Sequence, residues 1–357
     1  MGALGNSVID SHWHLYIYQD EQGRDFRAVL DEYQQANGLE AVNICAIPVY
    51  GGLGPAQNIL AALYKLHNPA AYAYAGLVYP QCPYSCPMPD GMDPLSQYSE
   101  LMQIGFDGIK MLETKPTEQK AYGMRIDEAY YDSFFAAAER DGTHMIWHVA
   151  DPDTFWDIDR IPKVFLDRGW FYGDGTYLSY EETYRQVFNV LDRHPNLPVT
   201  FAHFFFYSEK PEQLAQVFAK YPGACVDVTP GSEMYGAFLK NREFYRDFFT
   251  RYADRIFYGT DTSFAGGDMT RFSQRARAVQ DFICTDKEMT VIRVDTKGLA
   301  LDEDVQKKIL GGNFRRVAGQ TPKAVDPKAL KAYIEKYKHL ITDAGMLDFC
   351  EREAAKL

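Results

Sequence analysis

Val8-Ile9-Asp10-Ser11-His12-Trp13-His14 is a short apolar run that closes on two histidines one residue apart. Strand side chains alternate between faces, so His12 and His14 project together and Trp13 projects the other way. Two imidazoles on one face, at the end of a first strand near Ser7–His12, form a chelate for a divalent ion. His-x-His pairs also arise by chance on surfaces, so the rest of the chain has to supply the context.

Working outward, short apolar runs alternate with amphipathic stretches almost to the end. Further strands are predicted near Ala41–Ala46, Ala71–Val78, Gly108–Leu112, His144–Val149, Pro198–His203, Ala224–Val228 and Arg255–Gly259. Most are near-continuous in Val, Ile, Phe, Tyr and Ala, as parallel strands covered on both faces are. Helical signals separate them. Ser179-Tyr180-Glu181-Glu182 is a capping box, Pro211 suits a first helical turn ahead of Leu214, Val217 and Phe218, and Glu128–Arg140 and Glu243–Tyr252 carry one apolar stripe each. Eight alternations predict an α/β fold, a (β/α)8 TIM barrel, although alternation alone also permits an open doubly wound sheet.

The barrel is assigned to residues 1–320. Residues 321–357 are read as a C-terminal helical extension packed on it, opened by Asp326-Pro327 with Leu330, Tyr333, Ile334, Tyr337 and Ile341 on one face. Asp151–Gly175, rich in Phe155, Trp156, Trp170, Phe171 and Tyr172, follows strand five. It reads either as an aromatic lid or as an insertion with its own small core.

Three more ionisable residues end predicted strands: His148 after His144-Met145-Ile146-Trp147, His203 after Val199-Thr200-Phe201-Ala202, and Asp261 after the eighth run. Barrel active sites are built at the carboxyl ends of the strands. Any one such histidine is most simply a hydrogen-bonded residue. Five ionisable groups at the ends of strands one, five, six and eight point to one site. Three neutral imidazoles (His12, His14, His148) and the Asp261 carboxylate partly compensate a divalent cation and leave room for water. Zinc is the first choice, with manganese or iron as alternatives.

Composition narrows the function. The chain has 357 residues, 46% of them hydrophobic, and a formal net charge of −12 without a basic run. Nucleic acid is therefore not expected as a partner. No signal-peptide pattern or bilayer-length apolar run is seen, so a soluble cytoplasmic protein without membrane attachment is expected. Homo-oligomerisation is left open. The six cysteines are scattered, and two (Cys45, Cys225) lie in strand-like runs, as in a reducing compartment. Cys82 and Cys86 form the one close pair, read as a local disulfide or loop packing rather than a metal knuckle. Gly51-Gly52-Leu53-Gly54 lacks the spacing of a dinucleotide-binding turn and is read as a loop near the site mouth.

Taken in order, Ile9–His14, His148, His203, Gly259-Thr260-Asp261 and Gly312-Asn313-Phe314-Arg315-Arg316 resemble the amidohydrolase-related branch of the amidohydrolase superfamily. The resemblance runs from the first strand through the Asn-x-x-Arg segment. It implies that His12, His14 and His148 are metal ligands and that Asp261 touches the metal and takes a proton from water. It also implies that His203 binds metal or polarises the substrate; Asn313 and Arg316 are read as structural. Lys110, on strand four, is read as a cation for a substrate carboxylate, with a metal-bridging carbamate or a salt bridge to Glu113 as alternatives. Trp156, Trp170 and Tyr172 are candidates for an aromatic wall around a small-molecule substrate. Hydrolysis through activated water, with Asp261 as general base and His203 at the oxyanion, is the expected reaction. Nonoxidative decarboxylation on the same scaffold is the alternative, and a barrel that binds without turnover is the third reading.

Overall fold

The structure, a computed structural model, describes residues 7–48, 53–79, 91–231, 233–264 and 269–357. The Cys82–Cys86 pair and Gly51-Gly52 lie outside the described residues. Gly54 stands in the helix Leu53–His67 rather than in a loop.

The apolar runs do become parallel strands. They are β1 (Ile9–Leu15), β2 (Ala41–Cys45), β3 (Tyr72–Ala75), β4 (Gly108–Thr114), β5 (Met145–Val149), β6 (Val199–Phe201), β7 (Ala224–Asp227), β8 (Ile256–Phe257) and β9 (Thr262–Phe264). They form one curled sheet in the order β8-β7-β6-β5-β4-β3-β2-β1-β9. β8 falls within the predicted eighth strand, Arg255–Gly259, and β9 lies beyond it. β8 pairs with β7, β9 pairs with β1, and the chain between them closes the ring. There the Ser11 amide donates to the Tyr258 carbonyl, and the Asp261 amide donates to the His12 carbonyl at 2.9 Å. The architecture is a TIM-barrel-like ring with its eighth strand broken. Gly259 stands in the break because a Cβ there would fall 2.9 Å from the Cβ of His12 and 2.8 Å from Thr229 Cγ2.

Every residue of β1 is buried. A register irregularity between Asp10 and Trp13 changes the phase of the strand. Ile9 packs in the interior with Tyr72, Tyr74, Ile146 and Phe257, while His12 and His14 face the same interior nearer the mouth. A bulge of this kind re-aims side chains beside a site. Asp10 points out of the ring and locks it, accepting from Tyr33 Oη (2.7 Å), Thr260 Oγ1 (2.7 Å) and the Thr260 amide (3.0 Å). Burial raises its carboxyl to about 6 against those hydrogen bonds.

The serine half of the predicted capping box forms, while the Glu182 carboxylate pairs with Arg125 and Arg185 instead. Ser179 Oγ accepts the Glu182 amide at the start of Tyr180–Arg193, and Pro211 opens Pro211–Lys220. The C-terminal helices Pro327–Tyr337 and Ala344–Ala354 bury Leu330, Tyr333, Ile334, Tyr337, Met346 and Phe349 in the main core. Asn58 donates to Tyr333 Oη at 2.8 Å across that seam. Asn313 is structural, as expected: its amide donates to the carbonyls of Ala253 and Ile256, both at 2.7 Å. An antiparallel hairpin of β10 (Glu288–Val291) and β11 (Val294–Lys297) was not anticipated. Cys45, Cys225 and Cys350 are buried free thiols. Among the described residues no helix is long and apolar enough to cross a membrane.

Candidate active site

β1 and the break after β8 bring His12, His14 and Asp261 together. The His12 and His14 Nε2 atoms are 3.1 Å apart. Asp261 Oδ1 lies 3.1 Å from His14 Nε2 and 3.8 Å from His12 Nε2. The other nitrogen of each ring is already committed. His12 Nδ1 faces Asp227 Oδ2 at 2.9 Å and His14 Nδ1 faces the Cys45 carbonyl at 2.6 Å. Both partners only accept, so each Nδ1 carries the proton. In the neutral rings both Nε2 atoms are then bare lone pairs, aimed at one another and at a carboxylate oxygen. Burial, reinforced by Lys110, lowers the pKa of His12 to about 3, so that ring is neutral.

Three electron pairs converging without a proton repel unless a cation joins them. The triangle they define fits one: a point equidistant from its corners lies about 2.0 Å from each, the usual zinc–nitrogen distance. These three residues are the metal-competent group found among the described residues, with all ligand atoms within 4.8 Å of one another. The Asp261 side chain is a third exposed, toward the cavity. Burial raises its pKa, but the neighbouring His14, with His12 and His203 beyond it, outweighs this and holds the carboxyl well below the usual carboxylate range.

His148 does not join that group. Its Nε2–H donates to the Ala150 carbonyl at 2.9 Å, and Asp151 Oδ1 is 3.5 Å away. Its ring lies edge-on to His203, with centroids 4.9 Å apart. Burial lowers its pKa to about 3 despite Asp151. His203 presents its Nδ1 to the Thr229 carbonyl at 3.2 Å. Its Nε2 is left without a protein partner among the described residues.

Two strained segments carry these groups. Asp261 has φ +51, and the Arg275 guanidinium supports its carbonyl at 2.7 Å. His203, Phe204, Phe205 and Phe206 have φ of +56, +56, +58 and +52, a left-handed turn built without glycine. Left-handed helical backbone costs L-residues about 1–2 kcal/mol each. Aromatic anchoring offsets it. Phe204 stacks on Phe249, Phe205 on Phe201 with centroids 4.0 Å apart, and Tyr184 Oη donates to the Phe205 carbonyl. Burying each such ring contributes about 1.5–3 kcal/mol. The turn leaves His203 and Phe206 facing the cavity. Strain held in this way is common where function needs a fixed side-chain direction.

The cavity has a volume of about 460 Å³ and is lined by His12, His14, Lys110, His148, His203 and Asp261, with Tyr16, Phe155, Phe165, Trp170, Phe206 and Ile292. Lys110 is 1% exposed, and no hydrogen bond or ion pair ends on its Nζ among the described residues. Burial lowers its pKa, against the carboxylates and Cys45 thiol around it. Glu113 does not pair with it. That carboxyl accepts from Tyr79 Oη and the Leu112 amide, and burial raises it to about 7.

The Asp151–Gly175 insertion fits both readings. Phe155, Ile161 and Tyr172 form its own core, and Phe155, Phe165 and Trp170 reach the cavity. Of the three aromatic residues singled out from sequence, Trp170 lines the cavity. Trp156 lies in a separate groove with Tyr180 and Lys210, and Tyr172 is buried, donating to Asp151 Oδ2 at 2.7 Å. Lys115 closes that cluster. Its Nζ meets Asp151 Oδ2 at 2.5 Å and sits 4.5 Å over the Trp170 ring. Sequence reasoning missed Asp227, Asp151, Lys115 and Phe206. Asp227 was detectable as one more ionisable residue closing an apolar strand.

No curated protein matches the chain in sequence. In fold it is similar to 2,6-dihydroxybenzoate decarboxylase from Rhizobium, at TM-score 0.54 and 15% identity over 88% of this chain and 99% of that one. It is also similar to a putative amidohydrolase from Staphylococcus aureus, at 0.53 and 15% over 87% and 99%. A third likeness is 4-oxalomesaconate hydratase from Rhodopseudomonas palustris, at 0.51 and 12% over 93% and 99%. A sequence profile of the family described as Amidohydrolase matches residues 79–319, well over half of the chain, and on that match the protein belongs to the amidohydrolase family.

Proposed function

We propose that the protein is a metal-dependent hydrolase of a small cyclic or carboxylated substrate, a lactone or an amide-type C–N bond. The observation that carries this reading is the convergence of His12 Nε2, His14 Nε2 and Asp261 Oδ1 as bare electron pairs on one point of a cavity wall. These three residues would hold one divalent cation, zinc first and manganese or iron as alternatives. His148 is assigned as a further ligand through the nitrogen that Ala150 does not engage. When bound, the cation polarises a carbonyl and brings water within reach of deprotonation near neutral pH.

The chain's own groups do the rest. Asp261, kept ionised, takes the proton from the attacking water as general base. His203, whose ring is oriented by Thr229 through Nδ1, faces and stabilises the substrate oxygen that becomes negative. Lys110 at the cavity wall holds a substrate carboxylate. Trp170, Phe155, Phe165 and Phe206 flank a flat ring and exclude bulk water; Tyr172 acts indirectly, by fixing Asp151. Trp156, turned into the neighbouring groove, would support the insertion's fold.

The test is a panel of lactones, amides and aromatic carboxylates run in oxygen-18 water with zinc-reconstituted protein. Label in the product carboxylate supports hydrolysis. Carbon dioxide release without label uptake overturns it in favour of nonoxidative decarboxylation, which would use the same residues.

A further inference from the structure

We infer that Asp227 is the positioning residue of this centre: one oxygen fixes the tautomer of His12 and the other fastens the left-handed turn that carries His203. The inference rests on reading the centre as a cation site.

Asp227 ends β7, is fully buried, and lines no part of the cavity. It is too remote to be a ligand in the triangle and has no route to substrate. Its oxygens divide their work. Oδ2 takes His12 Nδ1 at 2.9 Å. Oδ1 takes the amides of His203 (2.8 Å) and Thr229 (3.1 Å) and the Thr229 hydroxyl. Because Oδ2 can only accept, His12 must carry its proton on Nδ1, which leaves Nε2 bare inside the triangle. Because Oδ1 gathers the His203 amide at the first of four left-handed residues, it pins the start of a turn that the sequence does not favour on its own. One carboxylate therefore serves both the cation-holding and the substrate-facing half of the site. Carboxylates that orient a ligating histidine are known to raise metal affinity by 10–100-fold.

The isosteric variant separates this role from that of a plain strand clamp. In Asp227→Asn the three donors around Oδ1 select the amide oxygen, so the NH2 group faces His12 Nδ1. Two donors cannot face each other, and the imidazole moves its proton to Nε2, into the cation position. Chelator-stripped full-length protein is titrated with Zn(II), and with Co(II) followed by its visible spectrum. Asp227→Asn is expected to bind either ion 10–100-fold more weakly. The thermal midpoint of the stripped form should move little, because the turn keeps its acceptor. Asp227→Ala should lose both affinity and several degrees of midpoint.

Nitrogen-15 histidine spectra of the unsubstituted protein, with His12 assigned by the signal missing in His12→Gln, should show the proton on Nδ1. That arm needs no folded Asp227 variant. Parental affinity in Asp227→Asn, or a proton on His12 Nε2 in the unsubstituted protein, overturns the inference. Failure of the unsubstituted protein to bind either ion would instead defeat the cation reading, and the nitrogen-15 spectrum would still decide whether Asp227 sets the tautomer.

Discussion

His12 and His144 are two interior histidines of the same ring, both fully buried, and burial lowers the pKa of both to about 3. What differs is satisfaction. His144, on the floor, has Nδ1 at 2.7 Å from Tyr74 Oη and Nε2 at 2.9 Å from Thr200 Oγ1, and it stacks on Phe257. His12, at the mouth, has one nitrogen satisfied by Asp227 and the other aimed at His14 and Asp261. A shifted pKa therefore does not separate core from site here, whereas an unmatched electron pair does. β4 repeats the lesson. Glu113 on its outer face is matched by Tyr79 and Leu112, while Lys110 on its inner face is unmatched among the described residues and borders the cavity.

The largest effect expected from this contrast is at the mouth. Asp261→Asn should lower kcat by about 10³-fold or more with a modest change in thermal midpoint, since on the proposed mechanism it removes the base and an anionic ligand but little packing. Steady-state kinetics on the identified substrate reads this, and near-full activity would erase the distinction between the two ends of the ring. At the floor the pattern should invert. His144→Ala leaves Tyr74 Oη and Thr200 Oγ1 unpaired beside a cavity, so urea denaturation should show a loss of about 3 kcal/mol. The kcat of the surviving folded protein should stay within about threefold of parental, equivalent to less than 1 kcal/mol of barrier.

The β4 pair gives two smaller tests. Lys110→Met should raise KM by about 10–100-fold for acidic substrates, the range of one charge-assisted contact, and leave neutral analogues unchanged. An equal rise for both classes would make Lys110 structural. Glu113 has its pKa raised from 4.5 to about 7, so its neutral form is the native one. The stability it supports is present below about pH 4.5 and is lost as pH rises through about 7. Glu113→Gln should accordingly flatten the stability profile across that window. At pH 8 it should stabilise the fold by about 1–2 kcal/mol, read from denaturation at a series of pH values.

Much of this was legible in the chain. Strand–helix alternation carried the barrel, and the period of two placed His12 and His14 on one face. Chain direction then put His148, His203 and Asp261 at the mouth. The rest was hidden for physical reasons. The left-handed turn is written in phenylalanine, which has no preference for positive φ, so only tertiary packing reveals it. The hairpin β10–β11 turns on Ile292-Arg293, both at positive φ, where asparagine or glycine would have announced it. The break in the eighth strand depends on how closely Gly259 approaches His12, a distance that sequence does not carry. The aromatic cluster of 151–175 was visible as composition, but which rings face the cavity depends on the insertion's own core.

The central claim is that His12, His14 and Asp261 share one cation. The most direct measurement is anomalous diffraction at the zinc edge from crystals grown with stoichiometric zinc. A single peak about 2.0 Å from His12 Nε2, His14 Nε2 and Asp261 Oδ1 is the predicted result. A peak elsewhere, or none while chelated protein turns over at the same rate, would contradict it.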